Sequence, residues 1–226
     1  MVGLVLGATG ALGAACVREM QSSSWTVLQG GRGSSDRSPS WVDVSRDGWA
    51  GGVGADRLSA VVWAQGANAS GGLEGPILEQ LESLLSANVT FVVQSLRELI
   101  DAQAIQVGAR LVIIGSVWQL VARQDKLAYV VSKSAVTGLV RALAADLASR
   151  DIAVNAVLPG VVDTPMTRSH LTAEQIDRVV RETPSGRLVT STEVARTVSW
   201  LAGTQSRGIN GQSLVVDGGW SVVRDV

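Results

Sequence analysis

The chain is poor in the side chains on which most enzyme chemistry rests. Among its 226 residues stand one cysteine (Cys16), one histidine (His170), one tyrosine (Tyr129) and one phenylalanine (Phe91). Of 19 basic residues only Lys126 and Lys133 are lysines. A single cysteine excludes an internal disulfide and a multi-cysteine zinc site, and a single histidine excludes paired-histidine motifs such as HExxH. No metal is expected. A formal net charge of −1 with no basic block speaks against binding a phosphate backbone, so nucleic acid is not an expected partner. No apolar run approaches the ~18 residues that cross a bilayer. The start MVGLVLG lacks the basic segment and the small-residue cleavage site of a signal peptide. A cytoplasmic protein without membrane attachment is expected.

Apolar residues make up 46% of the chain, with 25 glycines and seven tryptophans. They fall into short β-branched runs alternating with helical stretches. Strands are expected at Val2–Leu6, Trp25–Gln29, Trp41–Val44, Ala60–Trp63, Arg110–Ile114, Ile152–Leu158 and Ser213–Val216. Helical spacing runs from Ala11 to about Gln21, through one long stretch from Leu78 to Gln106, and over Ala128–Ser149, Thr172–Glu182 and Ser191–Leu201. Strands that read as continuous apolar runs are buried on both faces, and β–α alternation gives parallel pairing by right-handed crossovers. The expected architecture is a single Rossmann-like, doubly wound α/β domain over 1–226, with about seven parallel strands. Gly30–Ser40 reads as a surface loop, and any helix between Asp43 and Ala60 must be stunted.

Gly7-Ala8-Thr9-Gly10-Ala11-Leu12-Gly13 follows the first strand. Glycines there let the backbone approach a pyrophosphate, which the free N–H groups and dipole of the next helix stabilise. The spacing is G-x-x-G-x-x-G rather than the common G-x-G-x-x-G, and an ordinary tight turn also accounts for it. The second strand ends Gln29-Gly30-Gly31-Arg32, with no carboxylate before Asp36. An acidic residue there would suit the ribose hydroxyls of NAD. An arginine suits the 2′-phosphate of NADP, so NADP(H) is expected in preference to NAD(H).

Tyr129 precedes Lys133 by four residues, which places both on one face of a helix. A nearby ammonium favours the phenolate and draws the phenol toward a useful acid–base range. Ser116 follows the strand Arg110–Ile114, at the carboxyl end where open α/β sheets bind ligands. Its hydroxyl can donate to a carbonyl oxygen as negative charge develops.

With these residues in order, the chain resembles the short-chain dehydrogenase/reductase family in its compact single-domain branch, essentially end to end. The blocks that carry the likeness are Gly7–Gly13, Asp43-Val44, Asn88-Val89, Ser116, Tyr129 with Lys133 and Asn155-Ala156-Val157-Leu158-Pro159-Gly160. Asp163-Thr164-Pro165-Met166, Pro184-Ser185-Gly186-Arg187 and the run Gly211–Gly219 complete them. The resemblance implies hydride transfer between a nicotinamide cofactor and a carbonyl or secondary alcohol. It makes Tyr129 the general acid, and has Lys133 tune it and hold the nicotinamide ribose. It makes Ser116 the group that polarises the carbonyl, and has Asn88 hold a relay water. Asp43 and Val44 are implied at the adenine, and Gly66, Pro159, Gly160, Val162 and Thr164 elsewhere along the cofactor.

Departures from the family pattern are equally specific. Ala11 stands where compact members carry glycine, Trp63-Ala64-Gln65-Gly66 replaces an Asn-Asn-Ala-Gly block, and Gly115 replaces the first of two serines. A segment near 164–190 is expected to form the substrate loop, with Trp118, Met166 and His170 as candidate substrate contacts. For His170 an exposed surface position is the alternative, and for Trp118 packing under the next helix. The other six tryptophans read as core or subunit contacts, Cys16 as a buried inert thiol, and Asp146 with Arg150 as a helical ion pair. The family likeness also implies a homotetramer or dimer. Two other activities fit the same residues: an epimerase or dehydratase of this family, and a non-catalytic nucleotide sensor. The substrate stays open among acyl-carrier thioesters, cyclic ketones, polyols and biosynthetic intermediates.

Overall fold

A computed structural model describes residues 1–33, 40–55 and 57–222. The elements run β1 (Val2–Leu6), α1 (Ala11–Ser22), β2 (Thr26–Gly31), β3 (Trp41–Asp43), β4 (Leu58–Trp63), α2 (Ile77–Leu85), α3 (Phe91–Asp101), β5 (Ile105–Ile114) and α4 (Leu127–Asp146). They continue with β6 (Ala153–Pro159), β7 (Val162–Asp163), α5 (Pro165–His170), α6 (Ala173–Glu182), β8 (Val189–Thr190), α7 (Ser191–Ala202) and β9 (Ser213–Val216). Seven strands form one sheet in the order β3-β2-β1-β4-β5-β6-β9, every pair parallel. This is the doubly wound Rossmann-like α/β fold that the alternating pattern predicts. The order turns back between β1 and β4, the switch point beside which such sheets bind ligands.

Period-two alternation divides the core between the sheet's faces. Leu4, Leu6, Val61, Trp63, Leu111, Ile113, Val154 and Leu158 pack on one side with Val92, Leu96 and Leu99 of α3 and Val136 and Val140 of α4. Val5, Ala60, Val62, Val112, Ile114 and Val157 pack on the other with Cys16 and Met20 of α1 and Val194, Val198 and Leu201 of α7. The alternation explains why these strands read as unbroken apolar runs: both faces are covered. Among the tryptophans, Trp25, Trp49 and Trp63 are core residues, Trp41 and Trp220 are half-buried, and Trp200 is 42% exposed.

The long helix expected over 78–106 is two helices joined by a π-turn, Ser86–Thr90, and it ends at Asp101. Gln103 takes φ +52° and the Ala104 N–H bonds back to the Leu99 carbonyl at 2.9 Å, which stops the helix. Apolar spacing carries on through Ala104 and Ile105 because they begin β5 and face the same core. Asp146 and Arg150 form no ion pair; Arg150 instead donates to the Ile105 carbonyl at 3.4 Å. Among the described residues between Asp43 and the start of β4 at Leu58, the one helical element is a 3-10 turn, Trp49–Val53. Of the loop expected at Gly30–Ser40, positions 34–39 lie outside the described residues, Asp36 among them.

α4 is the one helix among the described residues whose length and composition match a membrane span. It nevertheless buries Ser132 and Lys133 and packs Val136 and Val140 into the core.

Candidate active site

The carboxyl ends of β1, β2, β4, β5 and β6 meet along one edge of the sheet. There Gly7 takes φ +79°, and a side-chain carbon on it would lie 2.6 Å from the Gln65 backbone nitrogen. The turn after β1 is thus pressed against the segment after β4, and only glycine fits the contact. Gly10 occupies the N-cap of α1 with no side-chain cap, leaving the first-turn N–H groups to an outside acceptor. Thr9, Gly10 and Ala11 are exposed at this turn, Leu12 is half-buried and Gly13 is buried. Gln65, whose backbone meets Gly7, has its side-chain Oε1 buried without a hydrogen-bond partner.

Arg32 is exposed just beyond β2. The next residue is fixed from two sides, because Gly33 donates to Asp43 Oδ1 at 3.0 Å and accepts from the Trp41 indole at 2.9 Å. Asp43 also accepts from the Ser45 N–H at 3.1 Å and hydroxyl at 2.6 Å. Ser45 first, then Gly33 and Arg46, hold its carboxyl below the usual carboxylate range. Val44 follows on the same turn, its N–H bonded to the Gly31 carbonyl at 3.0 Å.

Ser116 caps a short 3-10 turn over Val117–Gln119. Gln119 Oε1 accepts the Ser116 N–H at 3.1 Å, and Gln119 Nε2 donates to Thr137 Oγ1 on α4 at 2.9 Å. This capping box places the serine and explains Gly115: a side chain there would collide with the Gln119 amide and with Leu158. The Ser116 hydroxyl accepts the Trp118 N–H at 3.4 Å and lies close enough to the Tyr129 phenol, in the first turn of α4, to favour its ionised form. One turn on, the Lys133 ammonium lies 5.9 Å from the Tyr129 ring centre and donates to the Ile114 carbonyl at 3.4 Å.

Asn88 sits in the π-turn, 2% exposed. It exchanges hydrogen bonds with the Ala67 backbone at 3.0 and 3.1 Å and donates to Ser132 Oγ at 3.0 Å. A carbon added at Gly66 would lie 3.1 Å from Asn88 Oδ1 and 3.4 Å from Lys133 Nζ, so the three residues meet at one point. A one-residue helical expansion at a polar, buried side chain is a common device at functional sites.

Burial sets the electrostatics. It lowers Lys133 to about 8, with no carboxylate near to oppose it. Burial also raises the Tyr129 phenol, and the nearby Ser116 hydroxyl works the other way. The pair is therefore a neutral phenol beside an ammonium at neutral pH. Lys126, which the spacing argument passes over, is the second cation at this ring, 5.6 Å from its centre. It donates to Asn68 Oδ1 at 2.9 Å and to the Ala69 carbonyl at 3.0 Å, tying the segment after β4 to the start of α4. Backbone bonds joining Gly71 to Asp125 and Leu127 close the same seam.

Two residues past Ser116 the chain enters the wall of a cavity of about 850 Å³, whose lining does not include Ser116, Tyr129 or Lys133. Trp118 forms part of its wall and meets Trp220 edge to face, ring centres 5.4 Å apart. Asp217 fixes the turn that presents Trp220, accepting from the N–H groups of Gly219 at 2.8 Å and Ser221 at 2.7 Å. α6 supplies the opposite wall through Gln175, Arg178, Val179 and Glu182, which share a helix face.

Pro159 closes β6 and Gly160 follows it, its N–H on the Val216 carbonyl at 2.9 Å. Val162 lies in β7, which pairs with β8, and Thr164 caps α5 through the Thr167 N–H at 3.1 Å. Met166 is 58% exposed on α5, and His170 is exposed at its end with Nδ1 2.8 Å from the Met166 carbonyl. Neither lines the cavity. Cys16 is buried between α1 and the sheet, where burial, reinforced by Glu19, pushes its thiol up to about 12. An inert thiol is what that value describes. Among the described residues no group of three or more histidine, cysteine or acidic side chains is placed to hold a metal ion.

A doubly wound sheet with a glycine turn at its switch point and a Ser–Tyr–Lys cluster at the next strand end defines a Rossmann-type protein with a built polar site. The family model described as "Enoyl-(Acyl carrier protein) reductase" matches residues 54–221. Cyclopentanol dehydrogenase of Comamonas sp. is 33% identical over 187 residues, covering 80% of this chain and 75% of that one. The 2-(R)-hydroxypropyl-CoM dehydrogenase of Xanthobacter autotrophicus is 33% identical over 159 residues, which span 70% of this chain and 64% of that enzyme. A solved short-chain dehydrogenase/reductase from Serratia marcescens superposes with a TM-score of 0.84 at 30% identity, covering 98% of each chain. The chain belongs to the short-chain dehydrogenase/reductase family.

Proposed function

We propose that the chain is an NADP(H)-dependent oxidoreductase that reduces a ketone, or oxidises the matching secondary alcohol, of a small molecule. The observation that carries this reading is the gathering of Ser116, Tyr129 and Lys133, with the buried Lys133 ammonium 5.9 Å from the Tyr129 ring centre. The uncapped α1 N-terminus, the close-packed Gly7 turn and the unpartnered Gln65 acceptor fit a dinucleotide. In this reading Gly7, Thr9, Gly10, Ala11, Leu12 and Gly13 hold its pyrophosphate, and Arg32 its 2′-phosphate. Asp43 and Val44 lie at the adenine, and Gly66, Tyr129, Lys133, Pro159, Gly160, Val162 and Thr164 line the remainder. When bound, the nicotinamide supplies the hydride and is itself oxidised.

The chain's own residues handle the proton. Ser116 donates to the carbonyl oxygen as charge gathers there, and Tyr129 gives that oxygen its hydroxyl proton. The raised phenol keeps Tyr129 protonated at neutral pH, as an acid must be. Lys133 then stabilises the phenolate, and Asn88 holds the relay that restores its proton. Alcohol oxidation needs the phenolate at the outset, so it gains as pH rises. Residues 164–190 act as the substrate loop. Val93 of α3 and Leu127 and Val131 of α4, exposed by 44, 37 and 44%, support a subunit contact in a homotetramer or dimer. The cytoplasm is the compartment we assign.

Purified protein should oxidise NADPH with a panel of ketones, and Arg32→Ala should erode the preference for NADPH over NADH at least tenfold. An unchanged preference removes Arg32 from cofactor selection, and no turnover across the panel removes the oxidoreductase reading.

A further inference from the structure

The cavity walled by Trp118 and Trp220 carries charge that reduction of a plain ketone does not use. Arg178 and Arg181 come from α6, Arg123 comes from the segment between Ser116 and α4, and Glu182 is the one acidic residue in the lining. Acids stand at the spacing that would neutralise them on α6: Glu174 four before Arg178, Asp177 four before Arg181, Glu182 four after Arg178. None of these pairs forms. Other described arginines divide: Arg97 pairs with Asp101, Arg168 with Asp163, Arg187 with Glu193 and Arg207 with Asp151, whereas Arg18, Arg32, Arg57 and Arg141 form no ion pair. Glu182 faces the Trp220 indole N–H instead, at 3.4 Å.

The lining thus combines an aromatic corner with three guanidiniums against one carboxylate, in a chain whose overall net charge is −1. A guanidinium presents a planar fork of donors that fits carboxylate and phosphate oxygens, and a concave apolar wall strengthens its field. We infer that the substrate carries an anionic head group, a carboxylate or phosphate, held by Arg123, Arg178 and Arg181. Its apolar or aromatic body packs against Trp118 and Trp220. This assignment rests on the proposed function, which brings the ketone to Ser116, two residues before the Trp118 wall.

The test compares matched ketones that differ only in the head group: 4-acetylbenzoate, 4-acetylphenyl phosphate and methyl 4-acetylbenzoate, with an alkyl keto acid and its ester as a second pair. Turnover is followed with NADPH, and binding by calorimetry with NADP+ present. At least one anion should show a kcat/KM tenfold or more above its neutral partner. That ratio should fall toward one in the Arg123→Gln/Arg178→Gln/Arg181→Gln variant and in high salt, and persist in Arg97→Gln, which is remote. Which anion wins identifies the head group. Equal or better use of the esters overturns the inference and leaves the oxidoreductase reading standing. Anion binding that the triple variant loses, with no turnover of any ketone, upholds the inference and overturns that reading. Neither binding nor turnover overturns both. All three arginines are exposed, so the variant should fold, which an unchanged melting temperature confirms.

Discussion

The sheet edge and the cavity beside it were assembled by different rules. Most of the edge sits at strand ends or early in a helix, where the fold itself dictates direction: Gly7 after β1, Gly66 after β4, Ser116 after β5, Tyr129 and Lys133 on α4, with Asn88 in the π-turn between α2 and α3. The cavity draws on segments with no such discipline, around residues 118–123, 171–184 and 220–221. Its aromatic corner depends on a turn that Asp217 holds by two short hydrogen bonds. In the proposed function the first region performs one proton transfer and the second selects among substrates.

Perturbing each region should give different signatures. The largest effect belongs to the edge. Tyr129→Phe removes the proton donor and should lower kcat by ~10³ while NADPH affinity stays within a few-fold, read by steady-state kinetics and calorimetry. A change of KM alone would show that the phenol merely touches substrate.

Gly7→Ala comes next. A methyl group there is forced against the Gln65 backbone at positive φ, so NADPH affinity should fall at least tenfold, with ~1–3 kcal/mol of stability lost. Retained affinity would mean that the turn does not hold the dinucleotide.

In the cavity the expected signature is the reverse. Trp220→Ala should raise KM about tenfold with kcat within a factor of three, since it removes an aromatic wall of the sort that carries ~1–3 kcal/mol of contact. Loss of kcat instead would place Trp220 with the edge residues.

The smallest effect is on stability. Lys133 is lowered to about 8 from an ordinary 10.5, so the folded state releases a proton that the unfolded chain keeps between those values. Stability attributable to Lys133 therefore rises with pH across that window. Lys133→Met should melt a few degrees above wild type at pH 7, and the gap should close by about pH 10, as thermal unfolding across a pH series will show. A constant gap would mean that the ammonium is not what burial strains.

The same division decides what could be read from the sequence. Strand runs, the glycine turn and the Tyr–Lys spacing are local patterns, so the fold and the edge were legible. Helix boundaries were not always: apolar spacing continued past Asp101 because Ala104 and Ile105 face the same core from a strand. Gly115 read as a missing serine. Its reason is the Gln119 amide, whose placement needs the turn to be seen. Lys126 was passed over because its role comes from the seam with Gly71. Trp220 read as core or subunit packing, and the unpaired arginines of α6 carried no signal at all. Pairing depends on rotamers and on the opposite wall, neither of which has a period along the chain.

A crystal structure of the complex with NADP+ and a ketone that the protein reduces tests most directly whether edge and cavity form one site. The account predicts the carbonyl oxygen within about 3.2 Å of both the Ser116 and Tyr129 hydroxyls, with the body of the ketone between Trp118 and Trp220. A carbonyl bound away from Tyr129, or a substrate body outside the tryptophan corner, would contradict it.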